Sequence, residues 1–195
     1  DRMRGVQLGT ANYAGQFRGV QIGVVNVAMG TSNGLQLGVL NFTRDTSVVK
    51  VGLINLTPAT RVQLLLFGGN VTKSNLAVRF LNHHFYTLLG FGLYYRGLDD
   101  RFSGALYYRA GYRVNVARRL ALSGDLGLAH IEDAPAGTEQ TEERRLGIQA
   151  RLNVEMQISP RFSFFATGGW GRAHRYGHFR DGQRKAIAEM GLMFF

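Results

Sequence analysis

The chain carries 5 histidines and 13 acidic residues, and these are the first places to look for chemistry. His130 lies three residues before Asp133, and His174 and His178 stand near Asp181. An imidazole beside a carboxylate can act as a general base toward a hydroxyl or a water, as in lipid or peptide hydrolysis. Neither grouping has a nucleophile at a spacing that fixes such a role, so no catalytic residue is assigned. His83 and His84 are adjacent, and neighbouring residues of a strand point to opposite faces, which argues against a metal pair. The chain has no cysteine, and none of its glycines is followed by a lysine and hydroxyl in the manner of a phosphate loop. No metal and no cofactor is expected.

More informative are charges set inside apolar strands. In RRLGIQARLNVEMQIS, Leu146, Ile148, Ala150, Leu152, Val154, Met156 and Ile158 share one face of an extended segment, and Gly147, Gln149, Arg151, Asn153, Glu155 and Gln157 share the other. SGALYYRAGYRVNVA repeats the pattern with Arg109 and Arg113 on the polar face, and LALSGDLGLA repeats it with Asp125. Such segments exceed the usual five or six residues of a soluble strand and match the ~9–11 that a tilted strand needs to cross a bilayer. The apolar face then meets lipid, and Arg109, Arg113, Asp125, Arg151, Glu155 and Glu189 form a charge network inside a barrel. That network has two uses: neutralising and filling a narrow lumen, which is the preferred reading, or lining a passive, anion-selective path.

The connections fit this picture. Reading back from the C-terminus, HRYGHFRDGQRK is long, ISPR short, EDAPAGTEQTEE long, VARR short and GLDDRFS intermediate, as expected of a barrel with short periplasmic turns and longer outer loops. Arg172, Arg175, Arg180, Arg184 and Lys185 near the last outer loop suit lipopolysaccharide phosphates, or pairing with Glu139, Glu142 and Glu143 of the neighbouring loop. Tyr94, Tyr95, Tyr108, Phe162, Phe164 and Trp170 suit interfacial girdles. Glu189, Gly191, Phe194 and Phe195 are similar to the C-terminal assembly signal of outer-membrane barrels, with one further aromatic position lying past Phe195.

The first half obeys a different rule. Gly9, Gly23, Gly38 and Gly52 recur every 14 or 15 residues, Asn12, Asn26, Asn41 and Asn55 keep the same intervals, and Asn70 extends the series. Two architectures use such a repeat. Each unit is one strand of an antiparallel meander, with Gln21 and Gly23 inward, or each is one coil of a parallel solenoid whose amides stack in ladders. Continuity with the later strands favours the meander. Five repeat strands, one weak strand near 76–81 and six later strands give an all-β, antiparallel transmembrane barrel of about 12 strands, a single domain over 1–195 with a repeat half (1–82) and a half of long amphipathic strands (83–195).

Composition bounds the remaining possibilities. The formal charge is +10, but the arginines are dispersed singly along strands, so the one-sided basic footprint of a nucleic-acid binder is missing. No apolar run reaches the ~20 residues of a transmembrane helix. The chain opens on Asp1 inside a repeat, which reads as a mature or partial piece.

The G-[VL]-Q-[IL]-G-x-x-N units, followed by FYTLLGFGLYYRGLDDRFSGALYYRAGY and LSGDLGLAHIE, resemble a family of bacterial surface-repeat outer-membrane proteins over nearly the whole chain. The resemblance implies an outer-membrane location, with further repeats before Asp1, and brings no activity and no catalytic residues. The expectation is thus an outer-membrane barrel with a structural or partner-binding role. Its partners are the lipid bilayer, lipopolysaccharide and other envelope proteins, and a passive channel or an outer-membrane enzyme are the alternatives.

Overall fold

Glycines and amides that recur every 14 or 15 residues come into register only if the chain coils so that successive repeats lie side by side in parallel. The computed structural model, which describes residues 2–45, 47–95, 102–134, 144–176 and 178–195, has this arrangement. Each repeat is split into two short strands: β1 (Arg2–Leu8) and β2 (Ala11–Ala14), β3 (Gln16–Ile22) and β4 (Val25–Ala28), β5 (Asn33–Leu37) and β6 (Leu40–Thr43), β7 (Val49–Val51) and β8 (Ile54–Leu56). The odd-numbered strands form one parallel sheet and the even-numbered strands a second. Gln7 stands beside Gln21 and Gln21 beside Gln36, while Asn12, Asn26, Asn41 and Asn55 form a second column.

The amides satisfy one another. The Asn12 Nδ2 donates to Asn26 Oδ1, Asn26 to Asn41 and Asn41 to Asn55, each at 2.8 Å, and Asn55 Nδ2 donates to the Thr87 hydroxyl at 3.2 Å. The glutamines run the other way: Gln36 Nε2 donates to Gln21 Oε1 at 2.8 Å and Gln21 Nε2 to Gln7 Oε1 at 2.9 Å. Buried amides cost free energy unless paired, and a ladder pairs them without leaving the repeat. The glycines make room for it. At Gly38 a Cβ would lie 2.5 Å from the Asn26 side-chain nitrogen, and at Gly34, where φ is +147°, it would strike the Gly19 carbonyl oxygen. Ala14, Phe17, Ala28 and Val48 make a small apolar core beside the ladders.

Eight later strands, among the described residues, close into a barrel. They are β9 (Arg61–Gly69), β10 (Thr72–Asn82), β11 (Phe85–Tyr95), β12 (Phe102–Ala117), β13 (Leu120–Ala134), β14 (Arg144–Ser159), β15 (Phe162–Arg175) and β16 (His178–Phe194). Neighbours along the chain pair in order, and the seam closes where β16 runs antiparallel to β9, from Glu189 opposite Gly69 to Phe194 opposite Leu64. The alternation read in the sequence is kept: along β14, Gln149, Arg151, Asn153 and Glu155 are buried while Ile148, Leu152, Val154 and Met156 are exposed.

Three expectations are corrected. The barrel has eight strands, not about 12, and extends over 61–194 instead of 1–195. The first four repeats are parallel coils, not meander strands, because each breaks in two near its Gly9, Gly23, Gly38 or Gly52 and turns a corner there. The fifth, VQLLLFGGN, alone follows the meander reading: it is the barrel strand β9, and Asn70 bonds Ala186 O and the Ala188 amide instead of joining the ladder. The connection predicted as a long outer loop, 174–185, is mostly strand, with Arg175 opposite His178. Residues divide by proximity into two units, Asp1–Val62 with Phe80–Thr87, and Gln63–Arg79 with Leu88–Phe195. Within the first, Asn82 Nδ2 donates to Asn55 O at 2.9 Å, which fastens the last coil to the β10–β11 reversal.

Candidate functional site

Inward side chains of the barrel meet in ion pairs. Arg79 on β10 donates from Nη1 to Glu155 Oε1 at 2.6 Å and from Nη2 to Oε2 at 3.1 Å. Arg113 on β12 reaches the same carboxylate from Nε at 2.8 Å, and the Ser123 hydroxyl donates to it at 3.0 Å. A second centre is Glu189 on β16, 3.3 Å from Arg109 Nη1 and 3.2 Å from Arg151 Nε. Arg151 Nη2 also donates to Gln149 Oε1 at 2.5 Å. Asp125 Oδ2 accepts from Asn153 at 2.9 Å, whose carbonyl oxygen accepts from Thr167 at 2.6 Å.

Strand order gives these pairs their meaning. Around the ring β10-β11-β12-β13-β14-β15-β16-β9, β10 and β14 are four places apart, and so are β12 and β16. Arg79–Glu155 and Arg109–Glu189 therefore join opposite walls, while Arg113–Glu155 and Arg151–Glu189 join strands two places apart. All but Arg113 have side chains no more than 4 % exposed. An eight-stranded barrel has an interior that side chains can fill, and here aromatic rings occupy more of it. Phe67 packs edge-to-face on Tyr107 and Phe165, and the Arg109 guanidinium lies 4.5 Å from the Tyr107 ring centroid.

The six charges singled out in the sequence, Arg109, Arg113, Asp125, Arg151, Glu155 and Glu189, thus all lie on the lumen face, and five of them join in ion pairs. Arg79 was not among them. Its signal is the alternation Asn75, Ala77, Arg79, Leu81 within a segment whose flanks, Thr72 to Ser74, do not alternate in burial.

Of the assembly-signal residues, Glu189 and Gly191 face the lumen, and Phe194 and Phe195 are 37 % and 41 % exposed. A Cβ on Gly191 would run into Phe67 across the seam. Of the aromatics read as a girdle, Tyr94, Phe164 and Trp170 are exposed, whereas Tyr95 is corrected, being 3 % exposed. Tyr94 has φ 56°, and that irregularity turns Tyr95 inward. Lys185 lies 4.5 Å from the Tyr95 ring centroid.

Of the histidine groupings, the one around His130 is the better described. His130 Nδ1 lies 3.1 Å from the Tyr176 hydroxyl, and its Nε2 4.0 Å from Glu132. The side chains of Asp133, His178, Arg180 and Asp181 and the acidic residues Glu139, Glu142 and Glu143 lie outside the described residues. His83 and His84 occupy the β10–β11 turn instead of a strand. Among the described residues no group of three potential ligands gathers for a metal ion.

No protein-family model matches the chain. No curated protein matches it either. Among solved structures it is similar to the N-terminal β-barrel domain of Pseudomonas aeruginosa OprF, at 16% identity over 68% of this chain and 93% of that one, with a TM-score of 0.47. It is also similar to Neisserial surface protein A, at 10% identity over 68% and 92% with a TM-score of 0.45. A de novo designed transmembrane β-barrel aligns at 14% identity over 71% and 97%, with a TM-score of 0.41.

Proposed function

We propose that the chain is a bacterial outer-membrane β-barrel, of the surface-repeat type its sequence resembles, with a structural or partner-binding role and a lumen held shut. The outward face supports the membrane reading. Leu152 is 74 % exposed, Leu126 68 %, Met190 64 % and Leu106 61 %, an apolar surface too extensive for a protein surrounded by water. From Ile148 to Ile158, at about 3.4 Å per residue and a tilt of about 40°, the exposed face of β14 covers about 25 Å, the height of the apolar band on such barrels.

The observation that carries the closed lumen is the pair of ion pairs between opposite walls, Arg79–Glu155 and Arg109–Glu189. Planar-bilayer recording tests it. The purified protein is expected to need detergent for extraction, to shift on gels after heating, and to give no steady conductance. Current through the Glu155→Ala/Glu189→Ala variant but not through the wild type would support occlusion by the network. A steady wild-type current whose ion selectivity changes in Arg109→Ala would overturn the reading in favour of a passive channel.

A further inference from the structure

Cross-strand pairing on the outward face is almost wholly apolar until it reaches Arg172 and Arg184. These two arginines are directly opposite each other on β15 and β16, and both are exposed. Directly opposed residues have Cβ atoms about 5 Å apart, and like charges there destabilise a sheet. No hydrogen bond or ion pair links either guanidinium to a described residue. The only outward carboxylate among the described barrel residues, Glu132, is engaged by Arg144 at 2.9 Å. Among the described residues nothing neutralises this positive pair, and two guanidinium groups side by side suit a phosphate supplied from the membrane surface.

Height and surroundings narrow the anion. Ile148, near the upper end of the apolar face, is the other cross-strand neighbour of Arg172. Trp170 follows two residues below on the same face, 57 % exposed, where an indole marks the boundary between hydrocarbon and headgroups. The same rows of the sheet continue, on β12 to β14, into an open apolar groove of about 560 Å³ that includes Leu106, Tyr108, Leu128 and Leu146. The groove offers acyl chains a place within a few strands of the charges.

We infer that Arg172 and Arg184 form a clamp for the phosphate of an anionic membrane glycolipid, whose chains lie along the neighbouring apolar face. The inference rests on the outer-membrane reading, and puts the clamp in the leaflet at the β15–β16 reversal. Guanidinium groups suit this task because each can give two parallel N–H donors to a phosphate.

The test uses the whole folded protein in nanodiscs, titrated with a bis-phosphorylated glucosamine lipid, its dephosphorylated form, or phosphatidylglycerol. The wild type is expected to prefer the phosphorylated glycolipid over the dephosphorylated one by about tenfold or more, and Arg172→Gln/Arg184→Gln to lose that preference. The same variant should melt higher than the wild type in neutral detergent, where repulsion is relieved, and lower in the phosphorylated glycolipid. Unchanged glycolipid preference in the variant would overturn the site. Equal loss of phosphatidylglycerol binding would overturn the commitment to a glycolipid. Failure of the membrane reading would appear separately, as a wild-type protein that stays dispersed without detergent and shows no heat-dependent gel shift.

Discussion

Glu155 gathers four hydrogen bonds from three residues, Arg79, Arg113 and Ser123. Removing it takes the shared carboxylate from two lumen guanidinium groups, and breaking a buried ion pair by removing one partner costs about 3–5 kcal/mol. Glu155→Ala should therefore lower the urea midpoint of the barrel strongly, whereas Arg79→Met/Glu155→Met, which removes the ion pair with both its charges, should recover much of the loss. Asp45 offers a smaller effect with a defined pH window. The backbone amide and hydroxyl of Ser47 and the amide of Ser32 hold its carboxyl below the usual range, against burial and with help from Lys50. Its contribution is present above the unfolded value near 3.9 and lost as pH falls through the lowered folded one. Asp45→Asn should thus destabilise measurably at pH 7 and hardly at pH 2, as read from thermal melts. At this scale the sequence was largely legible, because alternation fixes which charges share a face. Tyr95 was not legible, since one irregular φ at Tyr94 reverses the parity, and Arg79 was obscured by the polar start of its strand.

The coils contain one visible fault. The column Gln7, Gln21, Gln36 continues into Lys50 instead of a fourth glutamine. Gln36 Oε1 consequently finds no donor, while Lys50 Nζ turns to Val48 O at 3.0 Å. Burial depresses the Lys50 pKa to about 8, with Asp45 opposing the shift. A folded value below the unfolded one, near 10.4, means the cost of charging is fully present below pH 8 and fades as pH rises toward 10.4. Lys50→Gln should extend the ladder and stabilise the coils by about 1 kcal/mol at pH 7, allowing for partial exposure. The gain should shrink above pH 10, and hydrogen exchange in the intact chain would read both. Asn41→Ala should do the reverse, by leaving Asn26 Nδ2 and Asn55 Oδ1 without their ladder partners. A 14- or 15-residue period fits a strand-and-turn as well as a coil, which is why the repeat alone misled. The distinguishing mark was the glycine between glutamine and asparagine, which suits a corner better than the middle of a transmembrane strand.

For the molecule as a whole, closure depends on β16 finding β9. Deleting Phe194 and Phe195 should reduce the heat-modifiable, folded fraction recovered from membranes if these residues serve the assembly signal. The strand total was overestimated because four coil units have the length of barrel strands, while the six later strands, β11 to β16, were readable from alternation over most of their length. What alternation does not encode is the partner across the lumen, because that depends on ring order and stagger as well as on the facing of each strand.

The links between opposite walls also act as a gauge. Barrel diameter grows roughly in proportion to strand number, whereas an arginine and a glutamate have fixed reach. Inserting a hairpin would pull Arg79 from Glu155 and Arg109 from Glu189 together, so the calibre cannot drift by duplication of one β-hairpin unless both ties are rewritten at the same time.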